Sequence, residues 1–289
     1  MLLLNYWLLK FSVPTFGRIP KIPGYAAAAT IGLLFYYVNA RQRRAVKANL
    51  RHVLGRQASQ GLLARKARAV FLNVGRNYYD LVRLPRAMPQ KVAWDITVEH
   101  WERLENAIAT GKGVILATAH LGSFDLVAQV AATRNISFTI MAEPLEPPQM
   151  HDLVARLRQS HGHRVAPVTA GGLRDIVTAL RSGGTVAIAC DRTFNGQGSP
   201  RQFMDKEALL PDGAVELATR TGAVIIPSYN VRLNGWGKFA LYFEEPIYLS
   251  ANGAGLSAKE ASQRLTQLME QWIKQWPEQW VVLSPVWPE

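Results

Sequence analysis

Residues 113–129 read GVILATAHLGSFDLVAQ, and this stretch decides how the rest of the chain is interpreted. The apolar run 114–117 has the length of a buried strand, and the small and apolar residues after Gly122 predict a helix. His120 lies in the turn between them, and four residues separate it from Asp125. A histidine with a nearby carboxylate at a strand end is a candidate general base with its orienting partner.

The overall composition indicates a folded enzyme-sized chain. The 289 residues are 48% hydrophobic, which predicts a sizeable core and a single α/β domain with an N-terminal appendage. The single cysteine, Cys190, excludes an internal disulfide framework and a cysteine-based zinc site, and it fits a reducing compartment.

Charge is distributed very unevenly along the chain. The net charge is +12, and the first acidic residue is Asp80, after thirteen lysines and arginines. Such an asymmetry predicts a polyanionic partner, either nucleic acid or an anionic lipid surface.

The residues between these charges favour lipid. Residues 22–40 contain no charge, and the basic run RQRRAVK follows at 41–47. A nucleic-acid-binding segment would interleave its bases with polar residues, so we expect no nucleic-acid partner. A spanning helix needs about 20 apolar residues, so residues 1–40 are expected to span the membrane or to lie on its cytoplasmic face, with 41–289 forming the catalytic domain. An ordinary apolar helix packed on the core remains the alternative.

Strands alternate with helices from about residue 94 onward. The predicted strands are 114–117, 137–142, 165–168, 185–190 and 223–227, the predicted helices are 101–110, 123–133, 149–161, 172–181 and 213–221, and a hairpin is predicted over 229–243. This order predicts a mainly parallel sheet flanked by helices on both faces. Such sheets carry their sites at the carboxyl ends of strands, where His120 and the pair Asp191–Arg192 fall.

The residue types near His120 suggest base catalysis without a covalent intermediate. A neutral imidazole takes a proton near pH 7, and a carboxylate on its other nitrogen fixes the tautomer. The chain has no GxSxG nucleophile motif, and Cys190 sits inside a predicted strand. Direct transfer to a bound acceptor therefore fits best. His161 and His163 lack a carboxylate cluster at ligand spacing, so no metal site is predicted.

Five segments in order resemble one known family. Segment 100–125 is similar to the first motif block of the bacterial lipid A biosynthesis acyltransferases and their phosphatidylinositol mannoside acyltransferase relatives, within the glycerolipid acyltransferase superfamily. The other four segments are KANLRHVLG at 47–55, GGTVAIACDRTF at 183–194, LPDGAVELATRTGAVIIP at 210–227 and PEQWVVL at 277–283.

This resemblance implies a membrane-associated enzyme of the inner membrane that needs no cofactor. It would transfer a fatty acyl group from acyl-CoA or acyl-carrier protein to a hydroxyl of a glycolipid or phospholipid. His120 would be the base and Asp125 its partner. The implied substrate-binding residues are Gly122, Ser123, Asp191, Arg192 and Pro227.

Departures from the family pattern leave the acceptor open. The phosphatidylinositol mannoside branch has an arginine where this chain has Pro144. Residues 193–204 are polar and glycine-rich, which predicts a flexible substrate-facing loop. A lipid or thioester hydrolase using the same pair, and a non-catalytic anionic-lipid-binding module, remain alternatives.

Overall fold

The computed structural model describes residues 2–194, 196–250 and 255–287. The helices are α1 (Leu2–Thr15), α2 (Lys21–Val38), α3 (Ala40–Leu54), α4 (Gln60–Arg83), α5 (Pro89–Ala93), α6 (Trp101–Ala109), α7 (Phe124–Val127), α8 (Gln129–Ala132), α9 (Pro148–Arg158), α10 (Ala170–Arg181), α11 (Gly213–Thr221) and α12 (Ala258–Gln275). The strands are β1 (Ile96–Glu99), β2 (Val114–Thr118), β3 (Phe138–Ala142), β4 (Arg164–Pro167), β5 (Thr185–Ala189), β6 (Ser199–Phe203), β7 (Lys206–Leu210), β8 (Val224–Arg232) and β9 (Phe239–Phe243).

A seven-stranded sheet forms the centre of the fold, with the strand order β1-β9-β8-β2-β5-β3-β4. Neighbouring strands are parallel except β8 and β9, which form the predicted hairpin. The middle strand, β2, is buried on both faces. Ile115 and Ala117 pack into a core with α10, α11 and α12, whereas Val114 and Leu116 pack into a second core with α6 and α9. The predicted α/β fold with a mainly parallel, helix-flanked sheet is confirmed.

The strand β8 was predicted as two pieces separated near Pro227, and that division is wrong. Proline has no N–H to donate, so the ladder between β2 and β8 ends at the Ala117–Pro227 pair. The strand nevertheless continues to Arg232 by pairing with β9. The extra length carries β8 past the carboxyl end of β2.

The predicted loop 193–204 is shorter than expected. Its second half is β6, which pairs with β7 in an antiparallel hairpin. The reason lies in Phe203, which is fully buried and stacks on Trp287 with ring centroids 5.5 Å apart. One buried aromatic ring thus overrides the polar composition of the segment.

Helix α2 lies directly against α4 through small residues. A side-chain carbon added at Gly75 would lie 2.1 Å from the carbonyl oxygen of Ala28, and one at Gly32 would lie 2.2 Å from that of Phe71. Backbone contact this close ties residues 21–38 to α4, while the division of the chain at residue 40 stays a prediction. None of the described helices is both long enough and apolar enough to cross a membrane.

Gly75→Ala is expected to destabilise the protein by about 1–3 kcal/mol, the usual cost of overpacking. The new methyl group would force α2 away from α4. Gly61→Ala on the same helix is the matched control, because a side-chain carbon there approaches only the Ser59 hydroxyl, at 4.0 Å. The control should gain about 0.5–1 kcal/mol, since alanine favours a helix over glycine. Urea unfolding followed by circular dichroism measures both, and equal stability of the two variants would contradict the close packing.

Candidate active site

His120 and Asp191 lie side by side, just beyond the ends of two neighbouring strands of the sheet. The strands β2 and β5 are parallel neighbours, with Thr118 paired to Ala189. Each site residue lies two positions beyond that pair, at the carboxyl edge of the sheet. The parallel register therefore brings together two residues that are 71 positions apart in the chain.

The Asp191 carboxylate holds the imidazole of His120 on one side. The distance from His120 Nδ1 to Asp191 Oδ1 is 2.8 Å, and the His120 backbone N–H donates to Oδ2 at 3.1 Å. The Trp280 indole N–H donates to the same Oδ2 at 2.7 Å. Burial alone raises the pKa of Asp191, but the charge of His120 and the hydrogen bonds from His120 and Trp280 outweigh it and hold that pKa below its ordinary range.

This geometry suits His120 for base catalysis. With Nδ1 held by Asp191, the nitrogen left to accept a proton is Nε2, for which the described residues supply no hydrogen bond. A quarter of the His120 side chain is exposed, whereas Asp191 is completely buried. Cys190 offers no competing nucleophile, because burial and the neighbouring Asp191 charge raise the pKa of its thiol to about 12.

Asp125 was predicted to orient His120, and the structure corrects this. Its carboxylate instead pairs with Arg158 of α9, with Arg158 Nε 2.7 Å from Oδ1. Asp125 lies in α7 and contacts α9, whereas Nδ1 of His120 faces Asp191, which follows the neighbouring strand β5. Between His120 and Asp125 in the chain, the Phe124 ring meets the His120 imidazole edge-on, with ring centroids 5.9 Å apart.

Gly122 and Ser123 support the turn after β2. Gly122 has a φ of +66°, and a side-chain carbon there would lie 2.3 Å from the Asn230 carbonyl oxygen, so glycine fits this position. Ser123 is 2% exposed, and its hydroxyl donates to Asp80 at 2.7 Å instead of capping α7. The Ser123 hydroxyl is therefore engaged in an internal contact, and its predicted role in substrate binding stays a prediction.

The two remaining predicted binding residues occupy different environments. Arg192 follows Asp191 at the sheet edge and pairs with Glu143 at 2.8 Å. Pro227 is buried within β8, where its carbonyl accepts from Glu244 N–H at 2.8 Å. Only Arg192 of these two is partly exposed beside the histidine–aspartate pair.

The C-terminal segment PEQWVVL supplies contacts that sequence reasoning did not assign. The Gly122 N–H donates to the Gln279 carbonyl at 3.1 Å, and the Val281 N–H donates to the His120 carbonyl at 2.9 Å. Between them Trp280 reaches Asp191. The position of this segment among the five family-like blocks was the available signal, but its contacts depend on the folded chain.

The candidate metal histidines have other partners. His163 is buried, and its two ring nitrogens lie 3.2 Å from the Phe138 backbone nitrogen and 3.1 Å from the Ala128 carbonyl oxygen. Burial lowers the pKa of His163. His161 Nε2 lies 2.6 Å from the Leu84 carbonyl oxygen. His163 thus joins the start of β3 to the end of α7, and His161 contacts the segment after α4.

Residues 2–289 match the family described as bacterial lipid A biosynthesis acyltransferase. The chain belongs to this family. The resemblance expected from the five sequence blocks is confirmed.

Relatives in this family include named acyltransferases. Phosphatidylinositol mannoside acyltransferases from Mycobacterium tuberculosis and Mycolicibacterium smegmatis are 29% and 25% identical over 174 residues. These matches cover 58% and 59% of this chain and 55% and 57% of the relatives, so the similarity spans just over half of their length. The crystal structure of the 1-acyl-sn-glycerophosphate acyltransferase PlsC from Thermotoga maritima covers 89% of this chain and 99% of its own, at 14% identity and a TM-score of 0.40. That likeness is too low to inform the site.

Trp280→Phe tests the hydrogen bond to Asp191. The pKa of Asp191 is lower in the folded protein than in the unfolded chain. Ionised Asp191 therefore contributes its full share of the unfolding free energy above the ordinary aspartate pKa of about 3.9, and that share is lost as the pH falls through the pKa of the folded state. Removing the indole donor raises that folded pKa. The variant should therefore lose about 1.5–3 kcal/mol of unfolding free energy at neutral pH, and its deficit should shrink as the pH falls.

Trp276→Phe is the matched control for this prediction, because no described residue accepts a hydrogen bond from its indole. Urea unfolding between neutral and acid pH compares the two variants with the parent protein. A deficit for Trp280→Phe that does not change with pH would argue against a bond to an ionised Asp191.

Proposed function

We propose that the protein is a membrane-associated O-acyltransferase that moves a fatty acyl group from a thioester to a hydroxyl of a glycolipid or phospholipid. The observation that carries the proposal is the contact of 2.8 Å between His120 Nδ1 and buried Asp191, at the edge where parallel sheets place their sites. Family membership supports the reaction class. The donor is proposed to be acyl-CoA or acyl-carrier protein, with no cofactor.

The proposed reaction proceeds by direct transfer. His120 Nε2 takes the proton of the acceptor hydroxyl, and the oxygen forms a bond to the thioester carbonyl carbon. The C–S bond then breaks, and the departing thiolate takes the proton from the imidazolium. Asp191 keeps the tautomer fixed and stabilises the transient charge on the ring, which is the role first expected of Asp125.

Arg192 is the best-placed residue for substrate contact among those predicted. It lies beside Asp191 at the sheet edge, and about a fifth of its side chain is exposed. An arginine pairs readily with phosphate or carboxylate groups. We assign it to an anionic group of donor or acceptor, in exchange with Glu143. Gly122, Ser123 and Pro227 support the site from within the fold.

A lipid-facing surface is proposed on the N-terminal helices. Large apolar side chains cover the outer faces of both α1 and α2. They are Leu3, Trp7, Leu8 and Phe11 on α1, and Ile22, Ile31, Leu34, Phe35, Tyr37 and Val38 on α2. Exposed apolar patches of this kind mark membrane or protein contacts, and the basic start of α3 follows directly, as expected beside anionic headgroups. We place the enzyme on the cytoplasmic face of the inner membrane.

His120→Ala should abolish acyl transfer, and Asp191→Asn should lower turnover by about 10⁴-fold, as loss of an orienting carboxylate does in a triad. Asp125→Asn should cost less, because Asp125 does not contact His120. The measurement is transfer from a labelled acyl thioester to lipid extract, followed by mass spectrometry of the product lipids.

His52→Ala is the matched control for these variants. His52 also lies against an aspartate, with Nδ1 2.5 Å from Asp205, but it belongs to α3 and contacts the β6–β7 turn. Its loss should leave turnover unchanged. A folded His120→Ala protein with near-normal turnover would overturn the mechanism. Release of free fatty acid at the same rate without any lipid acceptor would favour the hydrolase.

Leu34→Gln should weaken binding to anionic vesicles by about tenfold. A buried leucine is worth about 1.5–3 kcal/mol, and a factor of ten corresponds to about 1.4 kcal/mol. Leu173→Gln is the control, because Leu173 is an exposed leucine on α10, away from the N-terminal helices. Vesicle co-sedimentation measures both, and equal binding by the two variants would contradict the proposed lipid-facing surface.

A further inference from the structure

Asp80 is a completely buried carboxylate that joins four parts of the chain. Arg232 of β8 donates to its Oδ2 at 2.6 Å, and the Ser123 hydroxyl donates to the same oxygen at 2.7 Å. The Tyr25 hydroxyl of α2 donates to Oδ1 at 2.5 Å. A buried carboxylate is costly unless it is paired and hydrogen-bonded, and these three donors meet both conditions.

Arg232 is held as firmly as its partner. Its guanidinium lies between two rings, 5.0 Å from the centroid of Tyr25 and 4.6 Å from that of Phe239. It also donates to the Asn77 amide oxygen at 3.1 Å. The pair thus has little freedom to move, because both Asp80 oxygens accept hydrogen bonds and the Arg232 guanidinium is packed against two rings, although its Nη1 is buried without a hydrogen-bond partner among the described residues.

Asp80 and Asn77, which both accept hydrogen bonds from Arg232, hold two consecutive residues of the turn after β2. Ser123 is bonded to Asp80 directly, and the Gly122 carbonyl accepts from the Asn77 amide at 2.5 Å. Asn77 and Asp80 lie one helical turn apart on α4, on the face that meets the turn. Helix α4 therefore binds the Gly122 carbonyl and the Ser123 hydroxyl, two and three residues after His120.

The position of this turn, together with the hydrogen bonds between His120 and Asp191, constrains where His120 Nε2 points. The imidazole itself has one polar anchor, Asp191, on the side of Nδ1. Rotation or translation about that anchor is limited by the backbone that follows. A displacement of about 1 Å in a catalytic group costs on the order of 10²-fold in rate.

We propose that Asp80 is a positioning residue for the reaction, which acts on His120 through the Ser123 hydroxyl and is held in place by Arg232. This inference rests on the proposed function for its kinetic readout. It assigns the ion pair on α4 and β8 a part in turnover, in addition to its part in joining the N-terminal helices to the sheet.

Ser123→Ala is the sharpest test, because it removes one hydroxyl and leaves Asp80 paired with Arg232 and Tyr25. The proposal expects turnover to fall by about tenfold to a hundredfold, with KM for the thioester changed by less than about twofold. The matched control is Leu63→Ala, a buried position at the other end of α4. That variant should lower the melting temperature more than Ser123→Ala does, yet keep its turnover below that temperature.

An activity-independent readout separates this inference from the proposed function. The proton on His120 Nδ1, bonded to Asp191, gives a downfield ¹H NMR resonance that is assigned by its loss in His120→Ala. The proposal expects this resonance to shift or to exchange faster with solvent in Ser123→Ala, and to stay unchanged in Leu63→Ala. If the parent protein transfers no acyl group, the proposed function fails and the resonance still decides the positioning role.

Asp80→Asn completes the design as a double-mutant cycle with Ser123→Ala. If the two residues act through one hydrogen bond, the double variant should lose no more turnover than Asp80→Asn alone. Where Asp80→Asn does not fold, Ser123→Ala decides alone. Turnover within twofold of the parent protein together with an unchanged resonance in Ser123→Ala overturns the proposal, as do fully additive losses in the cycle.

Discussion

The ion pair between Asp80 and Arg232 is the interaction on which the arrangement of this protein depends. Replacing water around two charges is expensive, and hydrogen bonds to the remaining polar atoms offset that cost. Both Asp80 oxygens have such partners, whereas Arg232 Nη1 is buried without one among the described residues. The partners of Asp80 come from separate elements, since Tyr25 lies on α2 and Ser123 in the turn after β2. The same requirement that makes the pair tolerable therefore fixes the N-terminal helices and the candidate active site relative to each other.

The candidate catalytic pair depends on a different constraint, the register of parallel strands. Because Thr118 faces Ala189, the two chains leave the sheet edge together and His120 meets Asp191. A histidine on a turn would otherwise sample several rotamers. One carboxylate accepts two hydrogen bonds from the same residue, one from the ring Nδ1 and one from the backbone N–H, and these restrict the histidine to one orientation. Trp280 then keeps that carboxylate ionised and in place.

Sequence patterns predicted the sheet better than the site. Strands buried on both faces are continuous apolar runs in the sequence. The sequence therefore predicted β2 and β5, and it predicted that His120 lies at the end of a strand. The partner of His120 was misassigned to Asp125 because spacing along the chain reports local neighbours only. The order of strands in the sheet depends on the whole fold and not on any one segment. The spacing between His120 and Asp191 along the chain therefore could not predict their contact. Likewise, serine is a common residue at the start of a helix, but the Ser123 hydroxyl donates to Asp80 and does not cap α7.

Helix α2 reverses the usual distribution of side chains on a surface helix. Its buried face is made of small residues such as Gly24, Ala28 and Gly32, together with Tyr25 and Tyr36, whereas its outer face carries larger apolar groups, among them Leu34 and the 81% exposed Val38. In water, folding would place the larger apolar groups inside. The small inner face is explained by backbone contact with α4, but no contact among the described residues accounts for the apolar outer face. Under the proposed function, lipid acyl chains would supply the missing environment, and they would bring the bilayer to the same helix that Tyr25 links to the Asp80 network.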